Sequence, residues 1–254
     1  MIKFESTEVA GWEAAIRGMR NPMNSWAKSD SYMSCEKYEK YNEDDNVYLM
    51  DKFNIGTNDL ELMLKLAKAG STHAKYRRMI VVYTDITAPL YWWKEFDTYK
   101  VGTVSNSCST MHKITEKEFT LDDFSCEHLV YDNPDELDYY GSELRGVTHY
   151  HYLNALNHTI DALNSARDHY LLAKNKPLKD ETKHVELMQR YWWQMIQLLP
   201  TSYNQRRTIM LSYEVLSKMY HERNPHKLDE WPALCKWIET LPYSEIMAGN
   251  TGEI

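Results

Sequence analysis

The chain has 254 residues, 43% of them hydrophobic, which is enough to bury the core of one large domain or two small ones. Its formal net charge of -8, from 37 acidic and 29 basic residues, argues against a general nucleic-acid backbone binder. No run of about 18 apolar residues occurs and MIKFESTEVAGW lacks the basic-then-apolar order of a secretory signal, so a cytoplasmic protein with no membrane partner is expected.

Residues 7–20, TEVAGWEAAIRGMR, put Val9, Trp12, Ala15, Ile16 and Met19 at helical spacing, and Asn21-Pro22 stops the pattern, so a first helix is expected there. Residues 24–46 are polar and charged and read as a surface loop or insertion, followed by VYLMDKFNIG as a short strand and turn. Asn58 is placed to cap the helix DLELMLKLAKA, with Gly70 at its C-terminal end. The β-branched run MIVVYTDI, residues 79–86, predicts a strand, and Pro89 opens a short helix LYWWKEFD.

From Thr98 to His112 the composition changes to Lys, Tyr, Gly, Thr, Ser, Asn and Cys. Hydroxyls, an amide, Lys100 and backbone N–H groups at this density suit a phosphate or a polar heterocycle, and equally a solvated loop. An acidic connection, residues 127–146, precedes a helical half, residues 148–242. There Tyr152, Leu153, Leu156, Ile160, Leu163, Ala166 and Tyr170 form one stripe. VELMQRYWWQMIQLL, RRTIMLSYEVLSKMYHE and HKLDEWPALCKWIETL continue it as further helices, punctuated by Pro177, Pro200 and Pro225. The sum is α+β: one helix-dominated domain over residues 1–254 with a small antiparallel sheet.

Other constellations carry less. Cys35, Cys108, Cys126 and Cys235 form no CxxC pair, so reduced thiols are expected rather than a zinc ribbon or a disulfide framework. His149, His151 and His158 lack an adjacent carboxylate set, and no metal site is assigned. Cys126-Glu127-His128 are sequence neighbours that rarely face one another, and NEDDN, residues 42–46, lacks the glycine and distal glutamate of a calcium loop. Arg77-Arg78 and Arg206-Arg207 are short basic spots, and the pairs Trp92-Trp93 and Trp192-Trp193 suit core or interface.

The order of strand, proline-led aromatic helix and polar loop resembles the flavin-dependent thymidylate synthases. In that family an Arg-His-Arg triplet follows the helix, and a tail of Asn-Glu-x-Ser comes after it. Here the tail is NSCS, with Asn106 and Ser109 matching, and near the C-terminus Leu199-Pro200 is followed by Arg223 and HKLDEW, residues 226–231, at the family's spacing. The triplet itself is absent: Thr98-Tyr99-Lys100 or Tyr99-Lys100-Val101 stands in its place, and the family's Asn-x-Arg ahead of the conserved Arg appears as Ser212-Tyr213-Glu214.

What the resemblance implies is methylation at C5 of a pyrimidine deoxynucleotide such as deoxyuridylate, with FAD as cofactor, methylenetetrahydrofolate and NADPH as co-substrates, and a homotetramer as the assembly. It assigns Arg223 to the pyrimidine edge as the catalytic cation, Tyr99, Lys100 and His73 to the cofactor, and Asn106, Ser107, Ser109, His112 and Lys113 to the substrate's sugar and phosphate. The missing triplet keeps a second expectation open, a degenerate relative that binds nucleotides or serves as a structural oligomer without catalysis.

Overall fold

In the computed structural model the described residues are 2–39, 47–129 and 152–249, and the side chains of 35–39, 47–51 and 112 lie outside the description. The acidic connection beyond residue 129, with His149 and His151, and the NEDDN segment therefore fall outside it. The chain is helix-rich α+β, as the sequence predicts, and it divides into two compact units. One unit comprises Met1–Lys3, Thr87–Asp97 and Ser107–Arg207; the other comprises Phe4–Ile86, Thr98–Asn106 and Thr208–Ile254. Among the described residues, no helix is long and apolar enough to cross a membrane.

The second unit carries most of a four-stranded sheet, β1 (Lys3–Ala10), β4 (Val81–Pro89), β6 (Asn204–Ser212) and β5 (Thr103–Ser107), in the order β1-β4-β6-β5. Burial alternates along β4, with Val82, Thr84, Ile86 and Ala88 facing inward, because successive side chains of a strand point to opposite faces. The Tyr213 N–H donates to the Ile80 carbonyl at 2.9 Å and the Thr208 hydroxyl to Asp85 at 2.5 Å, so β4 and β6 run antiparallel. An antiparallel hairpin of β2 (Tyr32–Glu39) and β3 (Val47–Asn54) pairs Tyr32 with Asn54.

Around them lie α1 (Trp12–Arg20), α2 (Thr57–Lys68), α7 (Tyr213–Arg223), α8 (Glu230–Glu239) and α9 (Glu245–Ala248). These helices bury Trp12, Met63, Tyr213, Leu216, Met219, Trp231, Leu234 and Ile238. One buried polar knot anchors this unit. Arg20 Nε donates to Asp59 Oδ1 at 2.6 Å, while the hydroxyls of Ser29 and Ser31 and the N–H groups of Asp30 and Ser31 all donate to Oδ2.

The first unit holds α3 (Leu90–Phe96), the short α4 (Thr110–Lys113) and a long helix pair, α5 (Tyr152–Asn175) with α6 (Glu181–Leu198). Its core is Ile114, Phe119, Phe124, Leu156, Ile160, Leu163, Ala166 and Met195. The stripe expected on α5 is buried at Leu156, Ile160, Leu163 and Ala166, with Tyr170 packed against this core, but its first residue, Tyr152, is exposed; Asn164 fastens the preceding loop to the helix by bonding both the N–H and the carbonyl of Phe119 at 2.8 Å. Helix α6 is different: over its whole length only Met195 is fully buried.

Several expectations need correction. Residues 7–20 are not one helix: β1 occupies the first part, and the left-handed Gly11 (φ 94) turns the chain into α1. The segment 24–46, read as loop, contains β2. Helix α2 begins at Thr57 with Gly56 as N-cap, so Asn58 does not cap it; the Asp30 carboxylate accepts from the Asn58 and Asp59 N–H groups instead. RRTIMLSYEVLSKMYHE is not wholly helical, since its first half is β6, where buried Ile209 and Leu211 alternate with exposed Thr208 and half-buried Met210. Residues 98–112 form β5 and the start of α4 rather than a loop throughout.

Candidate functional site

Arg223 is the last residue of α7, a helix opened by Ser212, whose hydroxyl accepts from the Val215 N–H at 3.4 Å. A cation at this end also suits the helix dipole. The guanidinium does more than cap. It lies 4.4 Å from the ring centroid of Trp231 and 5.5 Å from that of Tyr99, and its Nε donates to the Tyr99 hydroxyl at 2.9 Å. The Tyr99 hydroxyl in turn donates to Glu222 Oε2 at 2.8 Å, so one phenol bridges a cation and a carboxylate.

Trp231 is fully buried in the first turn of α8, which makes it a fixed floor, and Tyr99 is only 8% exposed. Gly102 helps place Tyr99: it turns the chain at φ 78, where a side chain would be strained and its Cβ would sit 3.2 Å from Val215. Burial pushes the Tyr99 hydroxyl pKa up; Arg223 opposes the shift and Glu222 adds to it. The phenol thus stays protonated and keeps its donor role.

His226 completes the group, with Nε2 3.2 Å from Arg223 Nη1 and Nδ1 3.1 Å from the Leu228 N–H. A neutral imidazole accepts at one nitrogen only, so one of these two donors bonds to it and the other makes a contact. The cluster of Tyr99, Glu222, Arg223, His226 and Trp231 holds a planar cation edge-fixed between aromatic faces. Such a group recognises carbonyl oxygens of a flat heterocycle and stabilises charge that builds on them.

Of the residues assigned from the sequence, Tyr99 and Arg223 are brought together. His73 and Lys100, in the same unit, are exposed, on the turn after α2 and just past Tyr99 respectively, and Asn106 is exposed on β5. In the first unit Ser107 is exposed, Ser109 is half-buried with its carbonyl accepting from the Lys113 N–H, and Lys113 pairs with Glu116. His112 lies in α4, with its side chain outside the description.

Three features were missed. Glu222 gives no sequence signal beyond standing next to Arg223. Arg77, read as part of an ordinary basic spot, is buried, donating to the Ser217 hydroxyl at 2.9 Å and the Ile246 carbonyl at 3.2 Å. Its Nε approaches Glu214 Oε2 to 3.0 Å, a charge contact without hydrogen-bond alignment. Glu214 stands where the resemblance expects an Arg, so this position carries the opposite charge and already has its counter-ion. In the first unit Arg207, also read as ordinary, lies 4.2 Å over Trp93, with Nε donating to Gln205 Oε1 at 2.9 Å and Nη1 to Asp97 at 2.8 Å.

No metal centre competes with these clusters: among the described residues no group of three or more His, Cys, Asp or Glu could hold an ion. Cys108, Cys126 and Cys235 are free thiols, and burial pushes Cys235 up to about 11, which keeps it in the thiol form at neutral pH.

No family model matches the sequence, and no curated protein does. Solved structures do match in fold. The chain is similar to thymidylate synthase X (ThyX) from Helicobacter pylori with FAD and dUMP, at TM-score 0.57 and 13% identity, over 98% of both chains. A second structure, the flavin-dependent thymidylate synthase ThyX from the same organism complexed with FAD and dUMP, matches at TM-score 0.56 and 14% identity, again over 98% of each chain. The fold of this chain is therefore the fold of the flavin-dependent thymidylate synthases.

Proposed function

We propose that the protein binds a pyrimidine deoxynucleotide, with deoxyuridylate as the leading candidate, and methylates its C5. Methylenetetrahydrofolate supplies the carbon and NADPH the reducing equivalents. The observation that carries this reading is the Arg223 guanidinium, held by Tyr99 and oriented on Trp231, in a chain whose fold matches proteins solved with FAD and dUMP. Arg223 contacts the pyrimidine edge and stabilises negative charge as C5 is activated. Asn106, in the same unit as Arg223, offers a hydrogen bond to sugar or phosphate, and the resemblance alone adds Ser107, Ser109, His112 and Lys113 as candidates for the phosphate.

A bound flavin would supply the hydride. The residues fit that group in part. Lys100 and His73 are exposed and able to meet its phosphates. Tyr99 does not fit: its ring is buried and its hydroxyl is spent on Glu222 and Arg223. That commitment, with Arg77 closed on Glu214, favours a second reading in which the chain binds the nucleotide without flavin.

Absorbance and calorimetry separate the two. On the first reading the purified protein is yellow or takes up added FAD, and releases tritium from C5-labelled deoxyuridylate. Arg223→Ala is then expected to lower release at least a hundredfold, a loss on the order of 2.7 kcal/mol of transition-state stabilisation. Colourless protein that takes up no FAD yet binds deoxyuridylate leaves the second reading standing, and absence of nucleotide binding sinks both.

A further inference from the structure

We propose that a small pocket in the second unit, sharing no residue with the Arg223 cluster, binds a zwitterion, an α-amino acid with a short side chain. The pocket lies between the end of α2, the turn that carries Arg77, the last turn of α7 and the helix α9, and has a volume of about 120 Å³. Sites for drug-sized ligands run to about 300–1,000 Å³, so this one suits a molecule of a few heavy atoms.

Arg77 is the residue that asks for a ligand. It lines the pocket and is only 7% exposed, yet its guanidinium is satisfied in part. Nη1 donates to the Ser217 hydroxyl and the Ile246 carbonyl, and these are all the hydrogen bonds the guanidinium makes among the described residues. Its Nε has the charge contact with Glu214 but no aligned bond. Buried guanidinium groups ordinarily spend their N–H groups, and a carboxylate is the partner their planar fork matches. The Ser217 hydroxyl donates in turn to the Met247 carbonyl at 2.9 Å, so the floor around Arg77 is fixed.

Glu214 balances the charge of Arg77, and the remaining charges stand on the rim. Lys68, the last residue of α2, and Glu245, the first of α9, both line the pocket, and neither is ion-paired among the described residues. His221 adds a polar ring, set edge-on to Tyr220 at 5.6 Å. One cation and one anion, each without a counter-ion and held apart in so small a space, suit a ligand that carries both charges. Its carboxylate goes to Arg77 and Lys68, its ammonium to Glu245, and its short side chain to Leu64, Ile246 and Met247.

Calorimetric titration of the full chain with L-alanine tests this, with propionate and ethylamine as its carboxylate and ammonium halves. One alanine is expected to bind per chain, about tenfold or more tighter than either half, because each charge-assisted contact adds its own stabilisation. Lys68→Gln should weaken alanine and propionate and leave ethylamine unchanged. Glu245→Gln should weaken alanine and ethylamine and leave propionate unchanged. Both changes lie on the rim, and circular dichroism checks that the fold is retained. The proposal is overturned if alanine binding does not saturate, if propionate binds as tightly as alanine, or if both folded variants bind alanine as the parent does.

Discussion

Replacing Tyr99 by Phe would remove one hydroxyl and two hydrogen bonds, to Glu222 and from Arg223. Both charged partners keep access to water, so the expected loss of stability is about 1 kcal/mol, read from urea unfolding. On the proposed function the larger effect is expected on deoxyuridylate affinity, a drop of about tenfold, equivalent to about 1.4 kcal/mol, because Arg223 loses its anchor. Any bound flavin should keep its spectrum, since Tyr99 faces inward. Asp59 makes a different case. Burial alone would raise its pKa, but hydrogen bonds from Ser31, Ser29 and Arg20 outweigh that and hold the carboxyl below its ordinary 3.8. A lowered carboxyl pKa contributes stability that is full above the unfolded value and lost as pH falls through the folded one. Asp59→Asn is therefore expected to cost about 3–5 kcal/mol at pH 7, since Arg20 is left as a buried unpaired charge, and to cost less when unfolding is measured below pH 3.8.

Elements were legible where one local signal dominated. β4 and α3 could be read because a β-branched run ends at a proline that favours a helix's first turn. α5 could be read because its apolar residues keep the helical period over its whole length. β6 could not: RRTIMLS carries apolar residues in the spacing of either element, and pairing with β4 and β5 decides for a strand. β2 hid among polar residues, because a hairpin's register depends on backbone pairing that composition does not record. The tie between Asn164 and Phe119 joins a loop to α5 through two bonds from the Asn164 side-chain amide to the Phe119 backbone. Asn164→Ala strips both and is expected to lower stability by about 1–3 kcal/mol, seen as a lower urea midpoint with an unchanged slope.

Across the whole chain, matching structures cover 98% of both partners at 13–14% identity, so the fold survives replacement of nearly every side chain. Arg223 stood out in the sequence because its distance from Leu199-Pro200 carries the resemblance; Glu222 and Arg77 did not, because each acts through a partner remote in sequence. The long helix pair adds a consequence of its own. Helix α6 has a single fully buried residue, Met195, near its C-terminal end, while α5 buries Leu156, Ile160, Leu163, Ala166 and Ala173. Opening the N-terminal turns of α6 exposes little apolar surface. Deuterium uptake is thus expected to run down α6 from Glu181 toward Met195, with amides before Tyr191 exchanging well ahead of those around Leu163. Uniform protection along α6, measured by mass spectrometry of peptic fragments, would contradict it.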